Sequence, residues 1–347
     1  MTLPKYLPAL AFSLPLLAAA PALAVTQDCM ADLEALKAAL LRLPSDMRGS
    51  GTNGTGFGAV IGTFDPPKLV EGRCVIQSLT TPGIDSGRTS EGIAAGPISW
   101  RADWADEVRG FPPVKLSLSI ENLRQTYVST GDPSDFDRSD GFDAMYDYQN
   151  ALLAELHPNN LALEYSFDPA AKTLDLARLD LDDGQVNRLA LSARLGNIDL
   201  AALLARPDMP DQLPMIRVHA ADLRLTNGGM FESMALAWLG PIFPRLGDTP
   251  EAAVEAAKTL GRAQIVQIPD SLVDSASRTA LTAVVDSVPH PLGTLRLTLD
   301  AADGVSASQF ILPMMTNRNP GWDRFRTALR NVRVTAEWQP KQAGTDE

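Results

Sequence analysis

Between Leu161 and Leu225 the chain sets apolar residues at every second position: Leu161, Leu163, Tyr165 and Phe167, then Leu174 and Leu176, then Leu189, Leu191, Ala193 and Leu195, then Ile216 and Val218. A period of two places such residues on one face of a β-strand, so the stretch predicts strands that each have one apolar side. The parity then changes twice. Leu174 and Leu176 are even while Leu179 and Leu181 are odd, and Ile216 and Val218 are even while Leu223 and Leu225 are odd. A shift of one residue inside a strand would carry its apolar set to the opposite face, so each change predicts a bulge or a sharp bend. Both segments close alike, with Leu-x-Leu, two small polar residues and glycine, at Leu179–Gly184 and Leu223–Gly228. This is turn chemistry. Leu297, Leu299, Asp303 and Gly304 give a looser echo, which fits either a duplicated unit or a common strand-then-turn phrase.

The start of the chain has a different character. Lys5 is the sole charge before Asp28, an apolar run from Leu7 to Leu23 follows it, and Ala22-Leu23-Ala24 has the small-x-small form of a cleavage site. Residues 1–24 therefore read as a secretory signal peptide cut after Ala24. A membrane anchor is the competing reading; Pro8, Pro15 and Pro21 interrupt the run, which is shorter than the ~20 residues of a span. No later stretch is apolar enough to cross a bilayer, so the expected product is exported, periplasmic and without a transmembrane segment. In an oxidising compartment the two cysteines, Cys29 and Cys74, are expected to pair, tying the first helix to an early strand. A redox pair lacks its Cys-x-x-Cys spacing; two free thiols are the remaining alternative. The net charge of −12, which becomes more negative when Lys5 leaves, argues against nucleic acid and anionic headgroups as general partners.

Met30, Leu33, Leu36, Leu40 and Leu43 recur at helical spacing and predict a helix ending at Pro44. The glycines from Gly49 to Gly58 follow a helix and precede a strand, the reverse of a phosphate-binding loop, and read as a connector. Strands are predicted at 57–64, 69–79, 93–104 and 114–127, punctuated by Pro66-Pro67, Pro82-Gly83 and Pro112-Pro113 as in an antiparallel meander. The loop 132–143 gathers Asp135, Asp137 and Asp140, candidate oxygen ligands for calcium, although the spacing is not that of an EF-hand. The alternative is a solvated acidic loop that caps the helix predicted over 142–156. After Gly228-Gly229 the period becomes helical, with Met230, Met234, Trp238 and Ile242 in one row and Phe231 beside it. Such a stripe lines a ligand groove or packs a core. Further helices are predicted from Thr249-Pro250 to Gly261 and from Asp270 to Pro289, a short one near Trp322, and strands at 295–299 and 332–338.

His157, His219 and His290 show no metal-ligand spacing, and no nucleophile elbow or Ser-x-x-Lys pair occurs. An enzyme is therefore not expected, although a catalytic group assembled in space has no sequence signature. The run Leu223-Arg224-Leu225-Thr226-Asn227-Gly228-Gly229-Met230-Phe231, a helix, a capped Ala-rich helix, then Pro289 and Pro291 before a strand resemble uncharacterised proteobacterial envelope proteins with a signal peptide and a domain of unknown function. The resemblance spans mainly residues 161–312; it implies bacterial export and a long sheet and brings no catalytic residues. The expected fold is α+β, a long bent antiparallel sheet with helices packed on one face. Its expected parts are an α+β meander over 25–158, long strands plus helices over 159–339 and a disordered tail over 340–347. The functional expectation is a carrier of a lipid or other apolar ligand. The alternatives are an envelope scaffold that meets a protein partner, and a hydrolase. No cofactor is expected beyond the calcium candidate.

Overall fold

The computed structural model describes residues 28–40, 63–80, 84–85, 89–105, 112–129, 158–200, 215–229, 249–310, 322–325 and 327–341. These form a mainly β molecule with fewer helices: the strand pairing that defines its one large sheet is antiparallel throughout. In chain order the elements begin with helix α1 (Cys29–Leu40), then β1 (Thr63–Phe64), β2 (Lys68–Val70), β3 (Arg73–Ile76), β4 (Leu79–Thr80), β5 (Ile84–Asp85), β6 (Thr89–Ala95), β7 (Ile98–Asp103) and β8 (Lys115–Ser129). They continue with β9 (Asn159–Asp168), β10 (Thr173–Asp182), β11 (Arg188–Gly196) and β12 (Arg217–Asn227). Helices α2 (Pro250–Gln267) and α3 (Ser275–Ser287), β13 (Gly293–Val305), a 3-10 turn at Trp322–Phe325 and β14 (Val332–Pro340) complete them. From β8 to β14 the strands lie side by side in sequence order.

Both predicted parity shifts are bulges. In β10 the pairing slips between Leu176 and Leu179 against β11, and between Leu176 and Arg178 against β9. In β12, Ala220 faces Arg194 and Val218 faces Leu195, so His219 is the extra residue. The turns also form where predicted, with Gly184 at φ +70. Gly304 differs: it has φ +71 but lies inside β13, which runs on to Val305, so the third echo is an irregular strand and not a strand end.

Other boundaries moved for identifiable reasons. The predicted strand 69–79 is broken by a turn at Glu71 and Gly72, both at positive φ, into the hairpin of β2 and β3. The predicted strand 93–104 divides at Gly96-Pro97, and β8 spans both pieces, pairing with β7 along its first half and β6 along its second. A Cβ on Gly96 would lie 2.3 Å from the Gln77 carbonyl oxygen, so the neighbouring strand fills the space that a side chain would need. The second C-terminal helix starts later than Asp270. Asp274 caps it, accepting from the Ser277 N–H at 2.8 Å, while Leu272 and Val273 run beside β14 instead. Thr249 caps α2 as predicted, yet Gly261 does not end it: Gly261 is where α3 approaches, and a Cβ there would meet Val285 at 3.0 Å.

Three outward N–H groups of β14 are occupied. Val332 N–H donates to the Leu329 carbonyl, Val334 N–H to Leu272 and Ala336 N–H to the Ser277 hydroxyl oxygen, and Pro340 has no N–H to offer. At one end of the sheet a line of carboxylates and carboxamides joins strand to strand. Asn160 Oδ1 accepts from the Asn122 N–H, and Asn160 Nδ2 donates to Asp182. Asn187 Nδ2 donates to Asp183 at 2.6 Å while its Oδ1 accepts from the Gly228 N–H at 2.7 Å, and Asn227 Nδ2 reaches the Pro291 carbonyl. These bonds satisfy backbone groups where the ladders stop.

Cys29 and Cys74 form a disulfide across a sequence separation of 45. It seats α1 against β3, where Cys29, Cys74, Ile76, Trp100, Ala102 and Leu116 make a buried core. Closing a loop of that length is worth about 3 to 4 kcal/mol. Replacing both cysteines with serine is expected to lower the unfolding free energy by about that amount, read as a lower urea midpoint with an unchanged far-ultraviolet dichroism spectrum before the transition.

Candidate functional site: the apolar face of the sheet

The registers align the alternating residues of successive strands into rows that cross the sheet. One row runs Ile98, Ile120, Leu161, Leu181, Leu189, Leu225, Leu295, Trp338. The next runs Trp100, Leu118, Leu163, Leu179, Leu191, Leu223, Leu297, Ala336, and the third Ala102, Leu116, Tyr165, Leu176, Ala193, Ala221, Leu299, Val334. A shorter fourth row holds Phe167, Leu174, Leu195, Val218 and Val305. No charged residue interrupts them. Strands about 4.8 Å apart make the face about 34 Å wide from β7 to β14, and Leu174 to Leu181 covers about 23 Å along the strand.

Burial along these rows is uneven. At the β7 flank Trp100, Ala102 and Leu116 are buried beneath α1, with Leu33 packed against them. At the β14 flank Ala301, Val305 and Val332 are buried with Leu272 and Val273, and Leu281 of α3, Phe310 and Trp322 pack around them. Phe325 closes that flank, its ring centroid 5.3 Å from that of Phe310. Between the flanks, every apolar side chain that β10, β11 and β12 present to this face is half-buried and none is buried. Among the described residues neither core includes an apolar residue of β10 or β11. Among the described residues the leucines thus form a half-buried band, here called the leucine trough, between two closed flanks. Tyr165 places the one hydroxyl on the rows of β9 to β12, and burial pushes its phenol well above the usual tyrosine range, so it stays a neutral donor or acceptor.

The other face is polar. Asp180, 2% exposed, accepts from Arg188 Nε at 2.8 Å and from Arg178 Nη2 at 3.0 Å. The Arg188 hydrogen bond, with Arg178 beside it, holds the Asp180 carboxyl below the usual carboxylate range although burial opposes this. Asp222 is lowered in the same way by the fork of Arg296, at 2.7 Å from Arg296 Nη2. Burial also works against ionised Asp183, but the Asn187 side chain and the N–H groups of Gln185, Asn187 and Val186 together hold it low. One face thus meets water while the other is apolar, the division typical of antiparallel sheets.

Met230, Phe231, Met234, Trp238 and Ile242 lie outside the described residues, as do Asp135, Asp137 and Asp140. Among the described residues no group of three or more His, Cys, Asp and Glu side chains is placed to hold a metal ion, and no helix is long and apolar enough to cross a membrane. The sequence reading placed a groove between the sheet's apolar face and a helical stripe, and the described residues show the sheet's part of that surface. The signal for that surface was the alternation itself, which does not reveal how strands align. No protein-family model, no curated protein and no solved structure matches the chain.

Asp180 is lowered in the folded state, so its stabilisation is present above about pH 4 and is lost as pH falls through the depressed value. Asp180→Asn is expected to cost about 1 to 2 kcal/mol at neutral pH, because its half-exposed arginine partners soften the loss. The variant's unfolding free energy should also fall less steeply than the parent's through the acid range, which urea titrations at several pH values would measure.

Proposed function

We propose that this chain is an exported, non-enzymatic periplasmic carrier that holds the acyl chains of a lipid along the leucine trough. The observation that carries the reading is the half-burial of Leu179, Leu181, Leu189, Leu191, Leu223 and Leu225 between two flanks that are packed as cores. The trough's length suits the cargo: one acyl chain spans half of a ~30 Å hydrocarbon core, about 15 Å, against about 23 Å along the strands. Apolar walls with few polar groups are the usual lining of a small-molecule site, and Tyr165 offers one such group. The predicted signal peptide and the disulfide fit an oxidising compartment outside the cytoplasm.

The test is native mass spectrometry on gently purified protein, followed by organic extraction and analysis of the extract. A bound mass of lipid type is expected on the parent and not on Leu191→Asp, with the melting temperatures of the delipidated proteins within a few degrees of each other. A parent that carries no lipid, together with a Leu191→Asp variant that loses its cooperative melt, would mean that the face is an internal core and would favour a scaffold.

A further inference from the structure

On the polar face, where β10 and β12 begin and β11 and β13 end, lies a pocket of about 560 Å³. Lys172, Arg217 and His219 line it together with Asn197, Ser306 and Ser308, and no aspartate or glutamate does. In a chain with 42 acidic and 30 basic residues this is an uncommon local balance. On the same face Arg178 and Arg188 meet Asp180, and Arg296 meets Asp222. Arg217 instead donates from Nη1 to the Asp303 carbonyl at 3.3 Å, which leaves most of its fork unused, and among the described residues it has no carboxylate partner. The Asp303 carboxylate itself accepts from Asn331. Lys172 makes one loose, exposed pair with Asp199 at 3.6 Å.

The backbone builds this convergence. Lys172 and Asn197 hold left-handed conformations at φ 53 and 54 where their strands turn, and Asn197 Nδ2 fixes the start of β12 by donating to the Met215 carbonyl at 2.9 Å. The bulge then lifts His219 out of the ladder. Its ring fits between two glycines of the flanking strands: a Cβ on Gly196 would lie 2.7 Å from His219 Nε2, and one on Gly304 2.8 Å from His219 Cε1. His219 Nδ1 lies 3.4 Å from the Ala302 carbonyl, which orients the ring with Nδ1 as donor. Ser306 and Ser308 stand 2.9 Å apart, hydroxyl to hydroxyl.

We propose that this pocket binds a phosphate group. The Arg217 fork, the Lys172 ammonium and the remaining hydroxyl proton of the Ser306–Ser308 pair offer donors from different strand ends, which matches the several acceptor oxygens of a phosphate, and His219 packs between the glycines beside Arg217. The volume leaves room for the body that carries it. The fourth apolar row lies at the same end of the sheet on the opposite face, so the phosphate belongs either to a lipid headgroup or to a soluble phosphate ester.

Phosphorus NMR and calorimetry with inorganic phosphate and glycerol 3-phosphate, followed by flotation with phosphatidylglycerol vesicles, test the assignment. The comparison protein is the double variant Arg217→Gln, His219→Gln, with its melting curve as the folding control. Binding of a soluble phosphate, weakened by about tenfold or more in the double variant at an unchanged melting temperature, supports a soluble source. Capture of the parent but not the double variant by vesicles, with no response to soluble phosphates, supports a headgroup. Absence of binding to any of the probes, or equal binding by parent and double variant, overturns the proposal. Leu191→Asp is expected to keep its affinity for the soluble probes, so this site and the acyl-chain trough stand or fall separately.

Discussion

Leu179 sits between Leu163 on one neighbouring strand and Leu191 on the other, and a slip of one residue would replace them with Glu164 or with Ser192. The same holds at each crossing of a row with a strand, so contact between like side chains on one face fixes the register of the whole sheet. The polar face adds a second condition. Arg188 reaches Asp180, and Arg296 reaches Asp222, only when the registers are right. Bulges at Ala177-Arg178 and at His219 reconcile these demands with a sequence whose parity changes, and bulges also increase strand twist.

The flanks and the centre of the sheet solve different problems. At the flanks a helix or an aromatic cluster completes a packed core, and the disulfide keeps α1 in place at one of them. The centre is built from the same leucine but packed less completely. A single sequence pattern therefore yields two environments, and the difference lies in what the flanking elements reach.

Much of this was legible in the sequence where a local quantity decided the outcome. Parity along the chain gave both bulges, the polar-polar-Gly phrases gave the turns after Leu181 and Leu225, Thr249-Pro250 gave the start of α2, and two cysteines gave one bridge. Other outcomes were set by contacts that no local pattern encodes. Asp270 and Asp274 are equally suitable caps, and the pairing of Leu272 and Val273 with β14 chose the second. Gly261 reads as a helix stop, yet its role is to let Val285 approach. The phosphate pocket was illegible because Lys172, Asn197, Arg217 with His219, and Ser306 come from four strand ends; the only hint was the bulge, with glycines at 196 and 304 on the strands beside it.

The edge at β14 has a consequence for assembly. An edge strand with free outward N–H groups is a template on which another chain can add a strand. Here those donors are taken in turn by Leu329, Leu272 and Ser277, and proline follows at the end of the strand. Along Val332–Ala336 this side of the sheet therefore cannot take another strand without first peeling away the segment that leads into α3. Residues 272–277 thus cover the part of this edge where an added strand would have to pair.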